Sequence, residues 1–364
     1  MDHAVERVAD KVQTLSDLEL AALLCLVAEQ HAIIDADASQ LDVLTQELQL
    51  IAGSVFGLSS TVLECSEKTT LDAFGNGLLV EDEDVSYFSS PSITRDQENA
   101  STFRLSYRRS PKSPLEPNRK IANVVIAKNL NLSHHQVQTQ ALELIRGKRI
   151  FTRTAVHPAP KRFLFIALLA SDSDIRLTPH LNNQFFISHY HSIDDGLPNL
   201  QEYRGLDDDQ ASLSSVVRPS SSMTFAPLKL STKNPLLPQD ELECISKLMA
   251  DVRMSSEVQA YMQNLIAFLR LHRAVGGGIS ALATRHFELL VRALAPLHGL
   301  DYVPPSLVAL AARKIYPHRI ILTTPENERS MQWGSSLEAV REVLNGVTAD
   351  DVIEDVLQQV EVPL

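Results

Sequence analysis

Two histidines spaced two apart, His189 and His191 in the stretch NNQFFISHYH, place both imidazoles on one face of a strand. With His180 before them and Asp194 or Asp195 just after, that face could offer a divalent metal two nitrogens and a carboxylate. The blander reading, solvent-facing histidines at a strand end, is preferred, and no metal is assigned. A second place for chemistry is the end of the apolar run Val124 to Ile126, which stops at Lys128 and Asn129 before a helix with apolar residues at Val137, Leu142 and Ile145. Carboxylates at such a strand end would hold Mg²⁺ and activate water. A lysine cannot ligate Mg²⁺, and an asparagine cannot take a proton from water.

A third place follows Ile34, where the text reads DADASQLDVL. A triphosphate cradle needs backbone N–H groups from G-x-x-x-x-G-K-[ST], with the lysine on the β- and γ-phosphates. No glycine precedes Gly53 and no lysine lies between Lys11 and Lys68, while the acidic residues here would repel phosphate. Gly147-Lys148 is followed by Arg149 and lacks the upstream glycine. Cys25, Cys65 and Cys244 are too few and too dispersed for a disulfide framework or a zinc knuckle, and read as buried thiols. No local motif suggests a Ser-His-Asp or Cys-His arrangement, and there is no G-x-S-x-G.

The elements around these residues divide the chain. Ser16 N-caps a helix over 16–30, a second helix lies near 41–52, and a third spans 134–146. Apolar runs predict strands near 32–34, 61–64, 121–127, 163–169 and 185–191, joined as one parallel sheet; Phe163 to Leu169 reads as a strand buried on both faces. After 239 the pattern is helix on helix, with a strand only at Ile320 to Leu322. Strands alternating with helices, then helices alone, indicate an α/β domain followed by a helical one. The predicted division is a core over 1–204, a flexible linker over 205–238 and a helical unit over 239–364 with a C-terminal tail. Residues 84–120, rich in Ser and Pro without periodicity, read as a disordered loop inside the core. Its basic residues Arg104, Arg108, Arg109, Lys112, Arg119 and Lys120 flank Ser110-Pro111 and Ser113-Pro114. A plain solvated linker is preferred there over a phosphorylated or nuclear-targeting segment.

Composition narrows the function. A chain of 364 residues, 44% hydrophobic and with a net charge of −12, can bury a sizeable core; that charge argues against sequence-independent DNA or anionic-membrane binding, which needs a basic face, and leaves room only for a local basic patch. No apolar stretch reaches the ~18 residues of a membrane span, and MDHAVERVADKV has no apolar signal core, so an intracellular protein, cytoplasmic or nuclear, is expected.

The segment VVIAKNLNLSHHQVQTQALELIRGKRI resembles the second-strand signature and following helix of AAA+ ATPases of the MoxR and magnesium-chelatase I-subunit group. RFLFIALLAS and RLTPHLNNQFFISHY resemble that group's next two strands, and residues 252–320 resemble its lid. The resemblance implies an AAA+-like core of five parallel strands with helices on both faces, followed by an all-α lid. It also implies ATP and Mg²⁺ as cofactors of an active member. Its functional positions fall here on Leu41 and Asp42 in the phosphate cradle, and on Lys128 and Asn129 for the metal and base carboxylates. The sensor asparagine falls on Ala170, the arginine that reaches a neighbour's nucleotide on Gln184, and the second sensor arginine on Leu282, with Arg285 one helical turn beyond. None has the residue type that ATP chemistry requires. The resulting expectation is a non-hydrolysing AAA+-derived interaction protein without catalytic residues, cofactor or metal, working through a protein partner. The alternative is a chelatase-like ATPase subunit acting with catalytic partners. In the tail, Thr348 N-caps a helix whose Val352, Ile353, Val356, Leu357 and Val360 form one apolar stripe. Such a stripe more often packs on its own domain; Val352, Val356 and Val360 are nevertheless taken forward as the candidate docking residues.

Overall fold

Helix α1 (Asp17–Ala28) begins at a capping box: the Ser16 hydroxyl accepts from the Glu19 N–H, and the Glu19 carboxylate accepts from the Ser16 N–H at 2.6 Å. It leads into the first of five strands, β1 (Ala32–Ala36), β2 (Ser60–Glu64), β3 (Val124–Lys128), β4 (Leu164–Ala170) and β5 (Ile187–His191). These pair in parallel as one sheet in the order β2-β3-β4-β1-β5. The computed structural model describes residues 8–81, 119–153, 155–173, 175–211 and 235–363.

The alternating faces of β4 explain its unbroken apolar run. Leu164, Ile166 and Leu168 join Ile34 under α1 and α2 (Leu41–Leu50). Phe165, Ala167 and Leu169 pack on the opposite face with Val125, Val137 and Leu144, under α3 (Leu71–Gly77) and α4 (His135–Gly147). A single helical turn, α5 (Pro179–Asn182), separates β4 from β5, and α6 (Pro198–Ala211) follows the sheet. The Glu47 carboxylate of α2, fully buried, accepts from the backbone N–H groups of Asn199 and Leu200 and so caps the start of α6. α6 runs beyond residue 204, and most of the expected linker, 212–234, lies outside the described residues.

Six helices form the C-terminal unit: α7 (Gln239–Asp251), α8 (Ser256–Leu271), α9 (Ala281–Leu297), α10 (Pro305–Ile315), α11 (Leu337–Leu344) and α12 (Ala349–Gln359). α9 is central, packing on α7, α10 and α1 through Phe287, Leu290, Val291 and Leu294. One apolar cluster therefore runs from this unit through α1 into the sheet.

Three expectations are corrected. The strand at Ile321–Leu322 does form, but it pairs antiparallel with Val275–Gly277, a partner whose two glycines hide it. Arg119 and Lys120 are not loop: with Ile121 they form a short strand against Leu79–Glu81, and β3 starts only at Val124. The rest of the expected basic loop, 84–118, lies outside the described residues. Finally, the tail stripe is not a docking surface. Val352 and Val356 are 1% exposed and Val360 5%, because α12 lies against α8 and α10.

Candidate functional site

At the carboxyl end of the sheet, Lys128 ends β3, and its register neighbour on β2 is Glu64. Its ammonium lies 2.5 Å from Oδ1 of Asp42, in the first turn of α2, and 3.4 Å from Oε1 of Glu64. Burial pulls Lys128 down, but the hydrogen bond and charge of Asp42, with Glu64 behind it, outweigh that and hold the group above the ordinary lysine range. Here the structure joins two of the expected positions, 86 residues apart. The cation stands on the strand and the anion on the helix, so the two side chains neutralise each other.

The connection between β1 and α2 is short. Asp37 is followed by a 3₁₀ turn, Ala38–Gln40, that runs directly into α2, and the Gln40 N–H is already bonded to the Asp37 carbonyl. Gln40 itself is right-handed helical, so no wide loop flares around the helix start to encircle a phosphate. Asp37 instead faces Ser171 and Tyr190, whose hydroxyls each lie 3.4 Å from its Oδ1. Asp35, on β1, lies in a cleft of about 590 Å³ lined also by Ala170, Arg176, Arg313 and Lys314. Burial pushes its carboxyl up to about 6 against the opposing charge of Arg176. Ala170 reaches the cleft with only a methyl group. Gln184 lies in the turn before β5, Leu282 is half-buried at the start of α9, Arg285 is exposed, and Asn129 takes a left-handed turn (φ 55°) as β3 ends. Asp42 pairs with Lys128, and Leu41 beside it is buried apolar core.

The unit after residue 235 is locked to the sheet by a buried arginine. Arg319, 2% exposed, donates to the Phe185 carbonyl, to Nδ1 of His286 at 2.7 Å and to Nε2 of His318 at 3.1 Å. Burial, reinforced by the Arg319 charge, holds His286 down at about 3 and His318 well below the ordinary range. Gly278 makes this join possible: at φ +98° it approaches so closely that a Cβ would lie 1.7 Å from the Arg319 carbonyl oxygen. Sequence reading missed this hub. Its signal is HRI after α10, inside the segment that resembles the lid.

His189 and His191 are not the solvent-facing histidines expected from the sequence. They are 5% and 3% exposed, on the sheet face that carries Ile34 and Ala36. Asp195, in the 3₁₀ turn Ile193–Asp195, approaches them, whereas His180 lies on α5 and lines a different cleft.

Comparison with known proteins fits this geometry. Residues 267–342 match the AAA lid domain, overlapping the resemblance noted over 252–320. Over 114 residues the chain is 27% identical to the maintenance of telomere capping protein 2 of Lachancea thermotolerans, covering 30% of this chain and 40% of that protein. Over 135 residues it is 22% identical to the uncharacterized protein YeaC of Bacillus subtilis, covering 37% of each. Either match thus spans about two fifths of the relative's length. A crystal structure from Cytophaga hutchinsonii, described provisionally as an ATPase, superposes with a TM-score of 0.62 at 15% identity, covering 100% of this chain and 96% of that one. No described helix is long and apolar enough to cross a membrane. With five parallel strands in this order and a lid domain after them, the chain has the fold of the AAA+ ATPases.

Proposed function

We propose that this chain is a non-hydrolysing AAA+-derived interaction protein of the MoxR and magnesium-chelatase type, without bound nucleotide or Mg²⁺. The observation that carries this reading is the Lys128–Asp42 ion pair. It stands where an active site would hold Mg²⁺ between a strand carboxylate and a helix hydroxyl, and Glu64 completes its neutralisation. An incoming metal would meet an ammonium, and an incoming triphosphate would meet Asp35, Asp37 and Asp42. The Arg319 hub supports the same reading, since it fastens the lid to the sheet through buried bonds that a nucleotide-driven lid motion would have to break. With the tail stripe buried, exposed apolar side chains elsewhere on the lid, among them Phe268, Leu271, Ile321 and Trp333, are where a protein partner would make contact. The name of the Lachancea relative suggests a nuclear setting; at a net charge of −12, the contact there would be with a protein and not with DNA. The test is equilibrium binding of labelled ATP with Mg²⁺: the expected Kd is above about 1 mM. Micromolar binding would overturn the reading in favour of an ATPase subunit.

The ion pair makes its own prediction. Asp42→Ala leaves Lys128 nearly buried with only Glu64 at 3.4 Å, and should cost about 1–2 kcal/mol of unfolding free energy. Adding Lys128→Met should recover most of that loss, because the flexible apolar side chain fills the space and Asp42, 62% exposed in its side chain, was largely hydrated. Denaturant unfolding of the four members of this cycle measures the coupling. If the double variant is no more stable than Asp42→Ala, the ion pair is not what the lysine serves.

A further inference from the structure

We propose that His189, His191 and Asp195 form a binding site for a divalent transition-metal ion of the zinc class, independent of the lost nucleotide site. One ligand atom from each residue lies within 4.8 Å of the other two, and Nδ1 of His191 is 3.8 Å from Oδ2 of Asp195. Donors about 2.0–2.1 Å from a tetrahedral ion stand about 3.4 Å apart, so the cluster closes by side-chain rotation of under about 1.5 Å. Two imidazoles and one carboxylate form a ligand set typical of this ion class, and water would complete it.

A second observation is independent of the clustering. Nε2 of His189 and Nδ1 of His191 are both buried polar atoms without a hydrogen-bond partner. Buried polar atoms in folded proteins are almost always satisfied, and two orphaned nitrogens beside one carboxylate point to a ligand that bonds there. The carboxylate is already oriented: Oδ2 of Asp195 accepts from the Ser192 N–H at 2.8 Å, a support of the kind that positions metal ligands. Charge favours a cation as well, because Asp17 of α1, Glu47 of α2 and Asp195 all act on His191. Opposing them is the Lys314 ammonium of α10, 3.4 Å from Nδ1 of His189. Lys314 is only partly buried, and its flexible stem can swing the charge away as an ion enters. The strand contributes both histidines and the turn after it contributes Asp195, so a bound ion would staple the end of β5 to the segment leading into α6.

The experiment uses the full chain, stripped with chelator and dialysed. Titration calorimetry with Zn²⁺ should give one equivalent bound with Kd on the order of 1 μM or tighter. Co²⁺ in its place should give the visible absorption of a four-coordinate ion. His191→Gln and Asp195→Asn should each weaken Zn²⁺ by at least tenfold, whereas His180→Ala should leave it unchanged. Asp195 is exposed and Asn keeps the capping acceptor, so this variant remains informative if a substitution at buried His191 prevents folding. Absence of saturable Zn²⁺ binding, or binding insensitive to Asp195→Asn, would overturn the site.

Discussion

Replacing Val356 by Asp is expected to unfold the lid. Val356 is 1% exposed on α12, between α8 and α10, and belongs to the apolar cluster that continues through α1 into the sheet. The change removes a buried aliphatic side chain, worth about 1.5–3 kcal/mol, and puts a carboxyl group among aliphatic neighbours with no partner. Together these cost about 4 kcal/mol or more, a large part of the 5–15 kcal/mol typical of a folded protein. Val356→Ala should cost only about 1–2 kcal/mol and keep the fold. Thermal melts of the two variants separate this from a docking role. A Val356→Asp chain that melts like the wild type would mean that α12 lies off the lid in solution.

The same helix shows what a sequence can disclose. The Thr348 cap and the spacing Val352, Val356, Val360 predict an amphipathic helix, and one forms with a capping box at Thr348 and Asp351. Periodicity says that a face is covered, not what covers it; here the cover is α8 and α10. The sheet was legible because runs such as Phe163 to Leu169 leave no room for a solvent face. Strand limits were legible only to within a few residues, since the Asn123 side chain, bonded to the Arg162 carbonyl, turns the chain just before β3 begins.

The candidate site was legible by elimination only. The proposed loss of nucleotide chemistry rests on the residue types at Leu41, Asp42, Lys128, Asn129, Ala170, Gln184 and Leu282. That Lys128 and Asp42 meet depends on strand order and on how far α2 lies from β3, and neither is written in local text. His189 and His191 fail in the opposite way. Their spacing was read correctly as one strand face, but ISHYH alternates and gives no sign of which face is covered. The covered face turned out to be theirs, because α1, α2 and the lid pack over Ile34 and Ala36.

Acid should destabilise the protein steeply between about pH 6 and 5. His31, fully buried, accepts the Phe165 N–H on Nδ1 at 3.1 Å, and burial, with the charge of Lys148, holds it down at about 3. His286 and His318 both accept from the Arg319 guanidinium, so a proton on either accepting nitrogen would set donor against donor beside a positive charge. All three rings stay neutral in the fold but bind protons near pH 6.5 once the chain unfolds. Below that pH the unfolded state holds the extra protons, so the stability present above pH 6.5 is lost as the pH falls toward the folded-state values. Asp35 acts in the opposite sense, because raised to about 6 it keeps a proton in the fold that the unfolded chain has released above about 3.8. Three rings less one carboxyl leave about two protons, or about 2.7 kcal/mol per pH unit. His189, held at about 4 chiefly by burial, steepens this in metal-free protein. Unfolding free energies from urea titrations at pH 7, 6 and 5 measure the slope. His286→Gln, whose amide oxygen can still accept from Arg319, should flatten it by about 1.4 kcal/mol per pH unit. A pH-independent stability over this window would mean that the Arg319 hub opens to water before the chain unfolds, and that the lid is not locked to the sheet.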